Sequence, residues 1–413
     1  MKLSSGVDNT GIEKSIEISK RGQALPASPI RKLIPFADQA KKRGIKIYHL
    51  NIGQPDIETP AEFWQAVKGY TSKALAYGNS QGMADYLKKL SAYYHRCGLD
   101  IGSDEIIVTT GGSEAIIFAM TIICEPGDEI MVFEPFYTNY NGFAVQAGIR
   151  LVPVTTHAED GFHLPSKEII EKKITDKIRG ILYCNPNNPT GTIYTREELN
   201  NLKQLALENN LFLLADEVYR EYIYEGKHIS VMSLKEIGDR AIMLDSISKR
   251  FSACGARVGN LATKNRDVYR AALRLGQARL CSPTLEQVGA AAAYDLLGDD
   301  YFKKMIGEYK KRRDVAYEGL MKIPGTICVN PGGAFYIMAQ LPIDNAEQFA
   351  SFMLTDFSHD NKTVMVAPGP GFYATPGKGQ NECRIAYVLK SEDLHDAMDI
   401  LRRGIEAYNS KGK

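Results

Sequence analysis

The 413-residue sequence has almost no excess of charge, because 50 Lys and Arg residues face 49 Asp and Glu residues and leave a net charge of +1. A chain without a strong positive field does not attract nucleic acid or an anionic membrane over a distance. We therefore expect its partners to be small molecules, with neither nucleic acid nor a membrane among them.

Paired cysteines and long apolar runs are also missing. The seven cysteines are scattered, odd in number and never spaced as CxxC, which argues against a disulfide framework and a zinc site. The longest apolar run, residues 115–124, has about half of the roughly 20 residues that cross a bilayer, so we interpret it as a buried helix. Residues 1–22 lack the continuous apolar stretch of a signal peptide. The predicted location is the cytoplasm.

The sequence does contain a regular alternation of strand-like and helical segments from about residue 105 onward. The strand-like segments are EIIVTT, EIMVFE, RLVPVT, IRGILYC, LFLLAD and AIMLDS. Such alternation predicts an α/β fold in which helices cover both faces of a mostly parallel sheet, in three αβα layers. We assign this large domain to residues 56–300.

The two ends of the chain predict a smaller α+β domain. Residues 301–322 carry a charged helical pattern, which is followed by strand-like pieces at AFYIMAQL, TVMVAP and CRIAYVL and by a final helix from Ser391. Residues 29–44 have a helical pattern that we expect to pack with the C-terminal part. The small domain is therefore predicted to combine residues 1–55 with residues 301–413.

Lys249 in the segment SISKRFSACGARVG follows the strand AIMLDS. It would therefore lie at the carboxyl end of a strand, where open α/β sheets bind ligands. Lysine forms an imine with a cofactor aldehyde, and desolvation or nearby cations lower its pKa enough to free the amine. Ser246, Ser248 and Arg257 are close enough in sequence to hold a phosphate. The alternative for Lys249 alone is a solvated surface lysine.

Asp216 ends the apolar strand LFLLAD, so its carboxylate is expected at the same edge of the sheet as Lys249. An acid in that position needs a cationic partner, such as the protonated ring nitrogen of a cofactor. Tyr219, three residues later, could donate to a ring oxygen. The alternative is that Asp216 caps a following helix.

Two loops add donors to this edge. Gly112 and Ser113 join the strand EIIVTT to an apolar helix, where backbone N–H groups suit a phosphate dianion. The alternative is a glycine pair that serves only the geometry of the turn. The segment NPNNPTG, residues 185–191, has two prolines that fix its backbone and would hold Asn188 toward the cleft. The alternative is an ordinary Asn-Pro turn.

The segments NPNNPTG, ADEVY and SISKRFSACGARVG, in this order and spacing, resemble the class I/II aminotransferases, which are fold-type I pyridoxal-phosphate enzymes of the aspartate aminotransferase type. The resemblance covers nearly the whole chain. It implies pyridoxal 5'-phosphate as cofactor, no metal, and transfer of an amino group from an L-amino acid to a 2-oxo acid. The expected acceptor is 2-oxoglutarate, and the expected kinetics are ping-pong.

The resemblance also implies a role for each residue of the site. Lys249 would be the Schiff-base lysine and proton shuttle, and Asp216 would bind the pyridine nitrogen. Tyr219 and Asn188 would bind the phenolic oxygen, and Tyr137 in EPFYTNY would stack on the ring. The residues placed around the phosphate are Gly112, Ser113, Ser246, Ser248 and Arg257.

The resemblance implies that three further residues take part in substrate binding or in the assembly of a dimer. Arg384 in CRIAYV matches the arginine that grips the substrate's α-carboxylate through two parallel hydrogen bonds, and Gly53 in LNIGQPD would add a backbone N–H. The alternative for Arg384 is a paired surface arginine. Tyr77 in LAYGNSQG matches the tyrosine that reaches the phosphate of the neighbouring subunit, so we expect a homodimer.

The choice of amino acid stays open at this stage. Ser113 stands where some bacterial aspartate-type relatives carry a lysine, and Arg274 or Arg279 could supply an arginine to the partner subunit instead. A carbon–sulfur β-lyase would use the same Schiff base, aspartate and carboxylate clamp. A non-catalytic ligand sensor is the remaining alternative, but the roughly fifty residues before LNIGQPD are too few and too weakly basic for a DNA-binding domain.

Overall fold

The computed structural model describes residues 16–410 of the chain. The helices are α1 (Lys20–Ala24), α2 (Ile34–Lys42), α3 (Ala61–Lys68), α4 (Ala84–Arg96), α5 (Gly111–Ile123), α6 (Asn139–Ala147), α7 (Lys167–Glu171), α8 (Arg196–Glu208), α9 (Ile247–Arg250), α10 (Arg266–Arg279), α11 (Thr284–Leu296), α12 (Asp299–Met321), α13 (Ala346–Thr355) and α14 (Ser391–Ser410). The strands are β1 (Lys46–His49), β2 (Ile106–Thr109), β3 (Glu129–Glu134), β4 (Arg150–Thr155), β5 (Ile178–Cys184), β6 (Phe212–Asp216), β7 (Ala241–Ser246), β8 (Gly259–Ala262), β9 (Tyr336–Gln340), β10 (Lys362–Met365), β11 (Ala367–Pro368) and β12 (Glu382–Ala386).

A seven-stranded sheet forms the centre of the molecule, with the strand order β2-β8-β7-β6-β5-β3-β4. The six segments predicted as strands are β2 to β7, and the pairs among β3, β4, β5, β6 and β7 are parallel. β8 is antiparallel to both of its neighbours and was not predicted. Its four residues begin with glycine and are all buried, so no alternation of apolar and polar residues marks them as a strand.

Apolar residues of the sheet alternate between its two faces. Leu213 and Met243 belong to a core cluster packed against α4, α8 and α11, whereas Leu214 and Ile242 belong to a second cluster packed against α5, α6 and α10. Successive side chains of a strand point to opposite faces, so each buried strand supplies both cores. The three αβα layers are as predicted.

Helix α5 holds the longest apolar run of the chain and lies directly after β2. Ala115, Ile116, Phe118, Ala119 and Met120 are all buried against the sheet, as predicted for this run. The helix has only 13 residues. None of the helices within residues 16–410 combines the length and the apolar composition that a membrane span requires.

The N-terminal and C-terminal parts of the chain share a second, smaller body. β1 pairs in parallel with β10, and β11, β12 and β9 form a three-stranded antiparallel sheet. Leu33 and Ala37 of the N-terminal segment pack into one core cluster with residues of α12, α13 and α14. The expected packing of the two ends is therefore confirmed. The domain boundaries near residues 55 and 300 stay a prediction, and residues 1–15 and 411–413 of the terminal segments lie outside the described residues.

Candidate active site

A cavity of about 780 Å³ opens where the carboxyl ends of β5, β6 and β7 face the smaller body. This is the edge at which parallel α/β sheets bind ligands. Its lining includes the following residues singled out in the sequence: Gly53, Gly112, Ser113, Tyr137, Asn188, Asp216, Tyr219, Ser246, Ser248, Lys249, Arg257 and Arg384. The structure therefore brings together every predicted site residue except Tyr77.

Lys249 lies in the short helix α9, which begins directly after β7 with Ser246 as its N-cap. Its Nζ donates to the carbonyl oxygen of Gly53 at 2.7 Å and lies 3.6 Å from Cys254 Sγ. Burial lowers the pKa of Lys249, and the positive charges of Arg384 and Arg257 lower it further. A buried amine that no described carboxylate pairs with is suited to act as a nucleophile rather than as a surface cation.

Asp216 is the last residue of β6, and a turn rather than a helix follows it, so it does not cap a helix. Its Oδ2 accepts a hydrogen bond from the hydroxyl of Tyr140 at 2.8 Å. Burial raises the pKa of Asp216 to about 6, although the hydrogen bonds from Tyr140 and from the backbone of Val218 oppose the shift. No cation of the described chain pairs with this carboxylate, and a protonated ring nitrogen would be the missing partner.

The hydroxyl of Tyr219 lies 2.8 Å from the hydroxyl of Tyr336, and both side chains are buried. Burial raises the pKa of Tyr219 well above its ordinary value, so the phenol stays a neutral donor. A Cβ atom at Gly53 would lie 1.7 Å from Tyr336 Oη. Only glycine therefore allows the backbone that accepts from Lys249 to pass this close to the tyrosine pair.

The corner around Arg257 offers several donors to an anion. Helix α5 begins at Gly111, which has a left-handed φ of +75°, and a Cβ atom there would lie 2.4 Å from Arg257 Nη2. Ser246 Oγ donates to the carbonyl oxygen of Val258 at 2.9 Å and lies 2.7 Å from Ser248 Oγ. Helix N–H groups, a guanidinium and a hydroxyl together fit a phosphate dianion.

Arg384 is buried in β12 without a carboxylate partner among the described residues. Its Nη1 donates to Asn188 Oδ1 at 3.0 Å and its Nη2 to the carbonyl oxygen of Asn51 at 2.7 Å, while its Nε has no partner in the described part of the chain. The rings of Tyr336 and Phe372 flank the guanidinium. Arg384 is therefore not a paired surface arginine, which was the alternative interpretation. A buried, uncompensated cation fits an anionic ligand.

Asn188 faces the cavity from the loop at residues 185–191, whose internal hydrogen bonds hold its shape. Asn187 Oδ1 accepts from the backbone and the hydroxyl of Thr190, and the backbone of Asn187 bonds that of Thr192. The loop is buried throughout. It is therefore part of the wall of the cavity and not an ordinary exposed turn.

Three members of the site were not predicted from the sequence. Tyr140 holds Asp216, Tyr336 bonds Tyr219, and the backbone of Asn51 bonds Arg384. A signal existed for Tyr140, which follows Tyr137 by three residues at the start of a helix and so shares its face. Tyr336 lies in a strand whose buried residues face both sides, and its orientation was not readable from the sequence.

The remaining candidates lie away from the cavity. Tyr77 is 80 % exposed and does not line it. Arg279 forms an ion pair with Glu114 and bonds Ser282 within the same chain, so its charge is already engaged. Arg274 is exposed on α10.

Comparisons with known proteins match the chain along most of its length. The family model described as aminotransferase class I and II matches residues 45–401. An aspartate aminotransferase of Sulfurisphaera tokodaii is 32 % identical over 89 % of this chain and 92 % of its own. An aspartate/prephenate aminotransferase of Thermus thermophilus is 30 % identical over 94 % and 98 %. The structure of an alanine aminotransferase from Pyrococcus furiosus superimposes with a TM-score of 0.86 at 32 % identity, covering 95 % of this chain and all of that one.

Proposed function

This chain belongs to the aminotransferase class I and II family, and from that premise we propose which of its residues perform the transfer and which acceptor it uses. As a member of that family it is an aminotransferase of fold type I that uses pyridoxal 5'-phosphate. Its substrates are amino acids and 2-oxo acids. When bound, the cofactor supplies an electrophilic aldehyde and a ring that accepts the electron pair left when the substrate Cα loses its proton.

The observation that carries the residue assignment is a set of three ionisable groups in one cavity that have no counter-charge within residues 16–410. Among the described residues, Asp216 has no cationic partner and Arg384 no anionic one, and the desolvated Lys249 bonds the carbonyl oxygen of Gly53. Buried charges that stay unpaired are costly, so they are kept where a ligand completes them. A zwitterionic substrate and a cofactor with a phosphate and a basic ring nitrogen supply the missing charges.

Each residue would have a defined task. Lys249 Nζ would hold the cofactor through its aldehyde, and as a free amine it would take the proton from the substrate Cα. Asp216 would keep the ring nitrogen protonated. Tyr219 and Asn188 would donate to the phenolic oxygen, and Tyr137 would cover one face of the ring. The residues that would bind the phosphate are Gly112, Ser113, Ser246, Ser248 and Arg257.

Arg384 binds the α-carboxylate of the substrate and thereby orients the Cα–H bond toward Lys249. Gly53 lines the same cavity, and its backbone N–H would add a donor to that carboxylate. We propose ping-pong kinetics, because the two substrates would have to use the same Arg384 and Lys249 in turn. We propose 2-oxoglutarate as the acceptor because the resemblance to the family implies it. Tyr77 would reach the phosphate of a second subunit in a homodimer.

The direct test is a spectral titration of the purified protein loaded with pyridoxal phosphate. Single amino acids should bleach the visible absorption of the lysine-bound cofactor, and 2-oxoglutarate should restore it. The Lys249→Ala variant should lack that absorption. If pyruvate and ammonia are released and 2-oxoglutarate does not restore the absorption, the protein catalyses a β-lyase reaction instead of amino-group transfer. An absorption that no amino acid changes would contradict the proposal.

A further inference from the structure

The cavity contains one more arginine than the cofactor phosphate and the substrate α-carboxylate require. Its lining includes Arg257, Arg384 and Arg31. Burial raises the pKa of Tyr137, and the positive charges of these three arginines all oppose that rise. The phenol of Tyr137 therefore lies within the field of three guanidiniums, of which the proposed function assigns a task to two.

Arg31 is fixed at its backbone and free at its charged end. It begins a short 3-10 turn, Arg31–Leu33, whose last residue is 1 % exposed and packs into the core of the smaller body. Its backbone N–H donates to Ser28 Oγ at 3.3 Å. Its guanidinium has no ion pair or hydrogen bond to any described residue, in contrast to Arg279, which Glu114 neutralises.

Asp38, Lys41 and His49 line the same cavity as Arg31, at the part that we call its mouth, and they do not neutralise Arg31. The carboxylate of Asp38 is 3.9 Å from Lys41 Nζ, one turn along α2. Burial lowers the pKa of His49, as does the charge of Lys41, so this imidazole is neutral near pH 7. Arg31 is the cation that remains without a compensating charge at this mouth among the described residues.

We infer that Arg31 selects substrates with a second carboxylate by binding that group, so that the enzyme prefers dicarboxylic amino acids and 2-oxo acids. This inference rests on the proposed function, because Arg384 must hold the α-carboxylate for the side chain of the substrate to reach Arg31. A planar guanidinium matches a carboxylate with two parallel hydrogen bonds. Ser113 lines the cavity but carries no charge, and Arg279 is already paired with Glu114.

The test compares glutamate with glutamine, which have nearly the same size and differ in the charge of the distal group. Arg31→Gln should lower kcat/KM for glutamate by about 10- to 100-fold, the range for a hydrogen bond to a charged group, while kcat/KM for glutamine changes less than about threefold. Arg31→Lys keeps the charge but loses the planar fork, so it should retain part of the preference. Arg196→Gln removes an exposed arginine on α8 outside the cavity and serves as the matched control.

An equilibrium measurement makes the test independent of turnover. Succinate, a non-reacting dicarboxylate, should bind the loaded Arg31→Gln variant about 10- to 100-fold more weakly than the unmodified protein in calorimetry, and butyrate should bind both alike. An unchanged glutamate-to-glutamine ratio, or an equal loss for both amino acids, would overturn the role of Arg31 and leave the proposed function intact. Failure of the unmodified protein to convert any amino acid would overturn the proposed function and this inference together.

Discussion

At the scale of single residues, the site is defined by charged groups that no other described residue compensates. Asp216 is the clearest example, because its carboxylate is buried at a strand end with a tyrosine hydroxyl as its closest partner. Removing a carboxylate from water raises its pKa, since the charged form loses hydration. The desolvation free energy of this carboxylate destabilises the protein without cofactor, and a cation beside the carboxylate offsets it.

This cost predicts the pH dependence of the apoprotein. The folded-state pKa of Asp216 is about 6 against an ordinary 3.8, so the folded protein holds the proton more tightly than the unfolded chain. The stabilisation is present at low pH and is lost as the pH rises from about 4 to about 6, a loss of about 3 kcal/mol. Asp216→Asn should therefore gain thermal stability relative to the unmodified apoprotein over this range.

Thermal midpoints of both apoproteins at pH 4.5 and pH 7.5 provide the measurement. The difference between the two proteins cancels the titration of all other groups. Parallel pH profiles would show that Asp216 has the same pKa in the folded and unfolded chains, contrary to its burial. The same variant should bind pyridoxal phosphate more weakly, because Asn cannot neutralise a protonated ring nitrogen.

Arg384 provides a second prediction at this scale. Arg384→Lys keeps a positive charge in the cavity but cannot bond Asn188, Asn51 and a carboxylate in one plane. We expect kcat/KM for the amino-acid half-reaction to fall by about 100-fold or more, whereas cofactor affinity should change little. A matching loss of cofactor affinity would indicate that Arg384 acts on the cofactor and not on the substrate.

At the scale of elements, the joints between strands and helices decide which backbone groups face the cavity. Helix α5 begins immediately after β2 because Gly111 adopts a positive φ that turns the chain. The same glycine leaves room for the guanidinium of Arg257. The geometry of this strand–helix junction therefore determines the direction of the helix N–H groups and the position of the Arg257 guanidinium beside them.

Two Gly→Ala substitutions distinguish the specific effect of this strand–helix junction from the general effect of helix propensity. Gly111→Ala adds a Cβ atom 2.4 Å from Arg257 Nη2 at a left-handed φ, so it should cost about 1–2 kcal/mol of stability and weaken pyridoxal-phosphate binding. Gly142→Ala in α6 meets no atom within 4 Å and should stabilise the protein by up to about 1 kcal/mol. Cofactor dissociation constants and thermal midpoints of both variants are the measurements. Equal cofactor affinity in the two would contradict the role of the joint.

At the scale of the whole molecule, the smaller body closes the cavity that the large sheet opens. Gly53 and Asn51 follow β1, and Arg384 lies in β12, so both ends of the chain contribute to one wall. Tyr77 is the exception, since it is exposed and outside the cavity of its own chain. A tyrosine in this position can serve a phosphate site only if a second subunit supplies that site.

Mixing two defective variants tests the predicted homodimer. Tyr77→Phe should weaken pyridoxal-phosphate binding by about tenfold through the loss of one hydrogen bond to a charged group, and Lys249→Ala should be inactive. In a mixed dimer the site that retains Lys249 receives Tyr77 from the other subunit. Activity at limiting cofactor should therefore recover on mixing. Absence of recovery, in a protein that sedimentation shows to be dimeric, would place Tyr77 outside the neighbouring site.

Most of the strands of the large sheet and the chemistry at their carboxyl ends could be predicted from the residues alone. Alternating β-rich and helical segments predicted β2 to β7, because buried parallel strands need continuous apolar residues. Lys249, Asp216 and the loop at residues 185–191 were identifiable because ligands bind at the carboxyl ends of such strands. Motif order then placed Arg384 and Gly53 in the same site.

Features that depend on contacts between distant segments became visible in the folded chain alone. β8 was not predicted because its four residues carry no strand pattern and are held by pairing with β2 and β7. Tyr140 and Tyr336 enter the site through hydrogen bonds to residues 76 and 117 positions away. Arg279 pairs with Glu114, whereas Arg31 has no carboxylate partner within residues 16–410, and both outcomes follow from which carboxylates the fold brings near them. Local sequence patterns reflect the periodicity of a helix or a strand, whereas the partners of a charged side chain depend on how the helices and strands pack.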